Sequence, residues 1–131
     1  MTLTPEEIES LRIAIAEECG WKIENYGPEG YDTLYWRLRK PDGTIRERGC
    51  TGEDWSRAMF GHMLPPYTTY IDAIQKAAME RFKIGSDRLQ FNAALRDQVK
   101  EIQGRLFFHE LTALDWSIAF ARTAKIWRWK A

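Results

Sequence analysis

The chain lacks the short signatures that announce common chemistries. It has no HExxH pair, no Cys-x-x-Cys and no glycine-rich phosphate loop, so zinc hydrolysis, dithiol redox work and P-loop nucleotide chemistry have no sequence support. Histidine is scarce. His62 and His109 are the two present, and neither has a metal-binding side chain one helical turn away. Cysteine is equally sparse: Cys19 and Cys50 lie far apart, which favours reduced thiols in an intracellular protein over a disulfide framework. No apolar run approaches the length of a membrane span. Pro5, Glu6 and Glu7 stand where a secretory leader would be basic and then apolar. An excess of either charge is also missing, because nineteen basic residues balance nineteen acidic ones. General binding to duplex nucleic acid is therefore disfavoured, although a local basic patch is still allowed.

Aromatic residues are plentiful, with six Trp, five Tyr and six Phe in 131 residues. That length suits one domain with one core, and most of these rings are expected inside it. Tyr35, Trp55 and Tyr67 are kept as candidates for stacking on a planar ligand or a partner chain. The segment from Tyr31 to Arg48 carries the strongest local pattern. Leu34, Trp36 and Leu38 alternate with Tyr35, Arg37 and Arg39, the period of a half-buried strand. Pro41-Asp42-Gly43 is a turn, since proline presets φ and glycine accepts φ > 0. A two- or four-residue loop there places Arg39 opposite Arg46 and Arg37 opposite Arg48. Like charges directly opposite destabilise a sheet, so an anion is expected nearby. Either Glu24 and acidic groups on the first helix neutralise the patch, or a bound phosphate does, through the guanidinium fork. Tyr35 shares the arginine face and is placed to stack on a base.

The remaining elements follow from caps and periodicity. Thr4-Pro5-Glu6-Glu7 is a capping box that opens a helix over about 5–18, with Ile8, Leu11, Ile15 and Cys19 on one stripe and Gly20 as the stop. Residues 21–26 read as a first strand, which makes a three-stranded antiparallel meander over 21–48. Thr51-Gly52-Glu53-Asp54 caps a short helix carrying Trp55, Ala58 and Met59. Leu64-Pro65-Pro66 starts a longer helix whose stripe is Tyr67, Tyr70, Ile71, Ile74, Ala78 and Phe82. Gly85 ends it, and Ser86 caps the next, which carries Leu89, Phe91, Leu95, Val99 and Ile102 and stops near Gly104. Leu106-Phe107-Phe108 fits strand or helix equally. Thr112-Ala113-Leu114-Asp115 caps a last helix with Trp116, Ala119, Phe120 and Thr123 inward. Asp72, Glu80, Asp97, Glu101 and Asp115 read as a solvated helical face. The fold class is α+β: a small sheet with about five helices in a single domain.

Three stretches then stand out together: Ile15-Ala16-Glu17-Glu18-Cys19-Gly20-Trp21, Leu64-Pro65-Pro66-Tyr67-Thr68-Thr69-Tyr70-Ile71-Asp72-Ala73-Ile74, and Thr112 to Arg122 running on to Ile126-Trp127. Their order and content resemble the small bacteriophage proteins of the phage ABA-sandwich domain family. The chain departs from that pattern at Pro66, Asp72 and Ala121, and it lacks a glycine before the final Ile126-Trp127. The resemblance implies a layered α/β/α sandwich, a phage or prophage origin and residence in the host cytoplasm. It carries over no catalytic residue.

Resemblance and arginine patch together suggest a non-enzymatic protein that sequesters an anionic nucleotide-type signal of host defence. The expected ligand-binding residues are Arg37, Arg39, Arg46, Arg48 and Tyr35, with no cofactor and no metal. Trp127 is expected to dock on the core. Trp129, costly to leave in water, is expected to mark a contact between subunits of an oligomer. The alternative is an interaction module that inhibits a host protein through an aromatic patch around Trp55, Met59 and Trp129.

Overall fold

A computed structural model describes residues 3–26, 35–50, 60–101 and 111–129. These form an α+β fold. In chain order the elements are α1 (Pro5–Glu18), β1 (Lys22–Asn25), β2 (Tyr35–Arg39), β3 (Ile45–Cys50), α2 (Ile71–Arg81), α3 (Gly85–Glu101) and α4 (Ala113–Ala124), followed by a 3-10 turn at Trp127–Trp129. The contacts divide into two compact units. One comprises Met1–Ile15 with Pro65–Ala131; the other is Ala16–Leu64. Trp55, Met59 and His109 lie outside the described residues, as do the predicted 51–59 cap and the stretch 104–110. No helix of the described residues is long and apolar enough to cross a membrane.

The helical unit is organised around α4. Its entrance is a complete capping box: Thr112 N–H donates to Asp115 Oδ2 at 2.8 Å, and Asp115 N–H donates to Thr112 Oγ1 at 3.2 Å. Asp115 is buried by this role, which corrects its expected place on a solvated face. Asp97 keeps its place on a solvated face, its side chain 47% exposed and paired with Arg122 Nη2 at 3.4 Å. Residues 115–121 of α4 are all buried, as befits a helix apolar on nearly every side. It packs against both α2 and α3. Phe82 sits at the centre, stacked on Phe91 at 5.2 Å and tilted against Phe120 at 5.0 Å, while Phe91 meets Trp116 at 5.6 Å. These spacings fall within the favourable range for aromatic pairs.

The second helix starts later than expected. Residues 65–70 form turns, in which Tyr70 N–H donates to Pro66 O at 2.9 Å, and α2 begins at Ile71. Tyr67 is buried there, and Ser117 Oγ lies 2.9 Å from its carbonyl oxygen and 2.8 Å from that of Ala113. Tyr67 is thus a core ring rather than a stacking candidate. Tyr70 and Leu89 leave their predicted stripes and face solvent, 64% and 71% exposed. Gly85, with φ of 71°, opens α3 instead of closing α2, whose C-cap is Phe82.

At the start of α1, Thr4 N–H donates to Glu7 Oε1 at 3.0 Å and Glu7 N–H to Thr4 Oγ1 at 3.2 Å, the expected capping box. Leu11 and Ile15 are fully buried. The C-terminal tail returns to this helix. Trp127 Nε1 donates to Ser10 Oγ at 3.1 Å, and Arg128 pairs with Glu7. Trp129 is half-buried, 5.9 Å from Trp127 and 6.0 Å from the Arg122 guanidinium.

Candidate functional site: the arginine face of the sheet

In the sheet unit β2 lies between β1 and β3, and both pairings are antiparallel. The turn determines which residues meet. Lys40 N–H donates to Thr44 O at 2.8 Å and Gly43 N–H to Lys40 O at 2.9 Å. Gly43 adopts φ of 93°, and Asp42 Oδ1 accepts from Thr44 N–H at 2.9 Å and from its hydroxyl at 2.7 Å. The Thr44 hydroxyl and N–H hold the Asp42 carboxyl below its ordinary range. The loop therefore has three residues, the length that closes on a positive-φ glycine. Arg39 then faces Ile45, not Arg46 as the even-length loop predicted. A bulge after Leu38 makes Arg46 the extra residue, and it restores the expected partner of Arg37, which is Arg48.

Three cross-strand rows share one face of this sheet. The middle row is Glu24, Arg37 and Arg48. Beside it stand Lys22, Arg39 and Ile45 on one side, and Tyr26 with Tyr35 on the other, where Tyr26 N–H donates to Tyr35 O at 3.0 Å. The opposite face carries Leu38, which is fully buried. Alternation along β2 thus puts Trp36 and Leu38 on one face and Tyr35, Arg37 and Arg39 on the other, while in β3 Glu47 shares the Leu38 face.

One carboxylate oxygen organises the charged side. Arg37 Nε and Arg39 Nε each donate to Glu24 Oε1 at 2.7 Å. Arg39 Nη1 also donates to Gly43 O. The Arg39 hydrogen bond is the main reason that the Glu24 carboxyl is held below its ordinary value; partial burial opposes this, and Arg37 adds to it. The Arg37 guanidinium lies 5.4 Å from the centre of the Tyr26 ring, which meets Tyr35 edge-on at 5.9 Å. Arg46 and Arg48 are exposed, and neither side chain meets a carboxylate among the described residues. An open depression of ≈ 350 Å³ borders Glu24, lined by Glu17, Trp21, Lys22, Ile23 and Glu24.

Residues 22–26 and 35–50 hold six cationic and three anionic side chains. A chain neutral as a whole therefore concentrates positive charge on its sheet. Sequence reasoning found Tyr35, Arg37 and Arg48 as neighbours, and it found Glu24 as a neutralising group. It placed Arg46 wrongly and missed Tyr26, whose signal was the same period-2 spacing continued from Lys22 and Glu24. The arrangement can hold phosphate oxygens: Glu24 fixes two guanidinium groups by their Nε atoms, and Arg48 opposite them has no internal counterion among the described residues. Among these residues no group of His, Cys, Asp and Glu is arranged to bind a metal ion. No family model, no curated protein and no solved structure matches the chain.

Proposed function

We propose that the protein binds and sequesters an anionic, nucleotide-type ligand on the arginine face of its sheet, without chemical conversion. The carrying observation is the cross-strand pair of Arg37 and Arg48, in which Arg37 shares the Glu24 carboxylate with Arg39 and Arg48 meets no carboxylate among the described residues. Such a row is short of negative charge, and a phosphate supplies it. Tyr35, Arg39 and the exposed Arg46 complete the candidate set. The motif resemblance to phage ABA-sandwich proteins supports a finer version: a phage-encoded, oligomeric trap for a nucleotide signal of host defence, acting in the host cytoplasm as a layered sandwich fold. A mixed pool of nucleotides should raise the melting temperature by binding linkage, and the bound molecule should be recovered intact after denaturation. Changing Arg37 and Arg48 together to Ala should remove the shift and leave the far-UV circular dichroism unchanged. A pool that produces no shift at all overturns the proposal.

A second reading has its own observation. Ile84 is 84% exposed and Leu89 71%, an apolar pair at the α2–α3 junction that suits an interaction module acting on a host protein. Of the patch expected from the sequence, Trp55 and Met59 lie outside the described residues and Trp129 is half-buried. Under this reading, Leu89→Asp removes the activity, and the arginine variants do not.

A further inference from the structure

The arginine face is open at its margins, with Tyr35, Arg37 and Arg39 half-buried between them. Small-molecule sites usually enclose most of their ligand in a concave pocket. Here Lys22, Tyr26, Arg46 and Arg48 all stand exposed on or beside the three rows. The rows differ in chemistry along β2: Tyr26 and Tyr35 first, Arg37 and Arg48 next, Arg39 with Lys22 last. Successive rows on one face are about 7 Å apart, twice the rise per residue of a strand. A ring pair beside two cationic rows fits a ligand that offers bases and phosphates in alternation along an extended backbone. The rings are also already in position, because Arg37 lies over Tyr26 and Tyr26 meets Tyr35 edge-on, so less freedom is lost when a base arrives.

We propose that this face binds a short single-stranded oligonucleotide, with Tyr26 and Tyr35 stacking on a base and Arg37, Arg39 and Arg48 holding the adjoining phosphates. The inference rests on the reading that the face takes a nucleotide, and it specifies the ligand as a strand. Aromatic stacking combined with a basic track is how sequence-tolerant single-strand binders work. The small number of cations keeps the site short and explains how a chain of zero net charge can carry it.

Fluorescence anisotropy with a labelled ten-nucleotide oligothymidylate tests this on the whole chain. The oligonucleotide should bind at least tenfold more tightly than thymidine monophosphate. With about three phosphates neutralised, the slope of log affinity against log salt should be roughly −2. Arg48→Ala should flatten that slope by about 0.7. Tyr26→Ala and Tyr35→Ala should each weaken binding about 5- to 100-fold with the slope unchanged, and Tyr35→Phe, which keeps the ring and the fold, should retain it. If inorganic polyphosphate or polyglutamate of equal charge competes on equal terms, or if the tyrosine variants bind normally, the face merely collects charge and the inference is overturned. Equal affinity for the mononucleotide overturns the strand but keeps the proposed function. No binding by any of these anions defeats both.

Discussion

Phe82, Phe91 and Phe120 of the helical unit expose 1% of their surface or less, whereas Lys22, Arg46 and Arg48 of the sheet unit stand in solvent. The contrast extends to the other side chains. The helical unit buries rings against rings and places polar groups where backbone needs them, at Thr112–Asp115 and at Ser117. In the sheet unit, Ala16, Leu38, Phe60 and Leu64 are the buried apolar side chains among the described residues. Its charged face carries two guanidinium groups on one carboxylate oxygen and a third opposite them. Burying an aromatic surface contributes to stability wherever it occurs. Crowding cations opposes it. Among the described residues, one unit buries rings against rings, and the other gathers like charges around a single carboxylate.

The largest effect that tests this contrast belongs to the aromatic centre. Phe82→Ala should cost about 3–5 kcal/mol in denaturant unfolding, because it leaves a cavity among rings that cannot all collapse into it. Arg48→Ala should lie within about 0.5 kcal/mol of the parent, as exposed substitutions generally do. An Arg48 variant as damaging as the Phe82 one would make the charged face structural, and the comparison would break.

Caps come next. Both capping boxes satisfy the same two backbone N–H groups, but Asp115 is buried and Glu7 half-buried. Thr112→Ala should therefore cost about 1–2 kcal/mol, the upper part of the usual range, and Thr4→Ala less. Equal costs at the two sites would show that burial of the partner carboxylate adds nothing.

These caps were legible in the sequence because a cap is local: Thr4 with Glu7 and Thr112 with Asp115 sit three residues apart and need no tertiary partner. The β2 pattern was legible for the same reason. The register was not. It depended on whether the Pro41-Asp42-Gly43 loop closes with two, three or four residues, and on a bulge at Arg46 that no composition signal marks. The two departures cancel at Arg37 and Arg48 and leave Arg39 against Ile45. Leu89 matched helical periodicity yet lies exposed, since periodicity gives a stripe and not its width, and Tyr70 lies exposed before the helix begins, as its N-cap. Pro65 and Pro66 were read as a helix start, but their carbonyls close turns that end at Tyr70. At the candidate site, the arginines and Glu24 could be read from residue type, while the choice of Glu24 as a shared anchor needed β1 paired beside β2.

A small predicted change in stability carries the sharpest test of what that anchor does. Glu24→Gln keeps an oxygen that can accept from Arg37 and Arg39 but removes its charge. Pairs as exposed as these contribute about 0–1 kcal/mol each, so the loss in unfolding free energy should be of that order. The pH dependence has a definite sign. The folded-state pKa of Glu24 is lowered from 4.5, so its stabilisation is complete above that value and is lost as pH falls through the lower folded-state value. The Gln variant should lack this part of the acid profile. Anion binding should move the other way. Removing the negative charge raises the net charge of the face by one and loosens the hold on both Nε donors, so affinity for a phosphate ligand should rise as stability falls, and the gain should shrink with added salt. If affinity falls together with stability, Glu24 instead holds the arginines in the geometry that the ligand requires. If stability falls and affinity does not move, the arginine row serves the sheet alone, and the contrast between the two units loses its functional meaning.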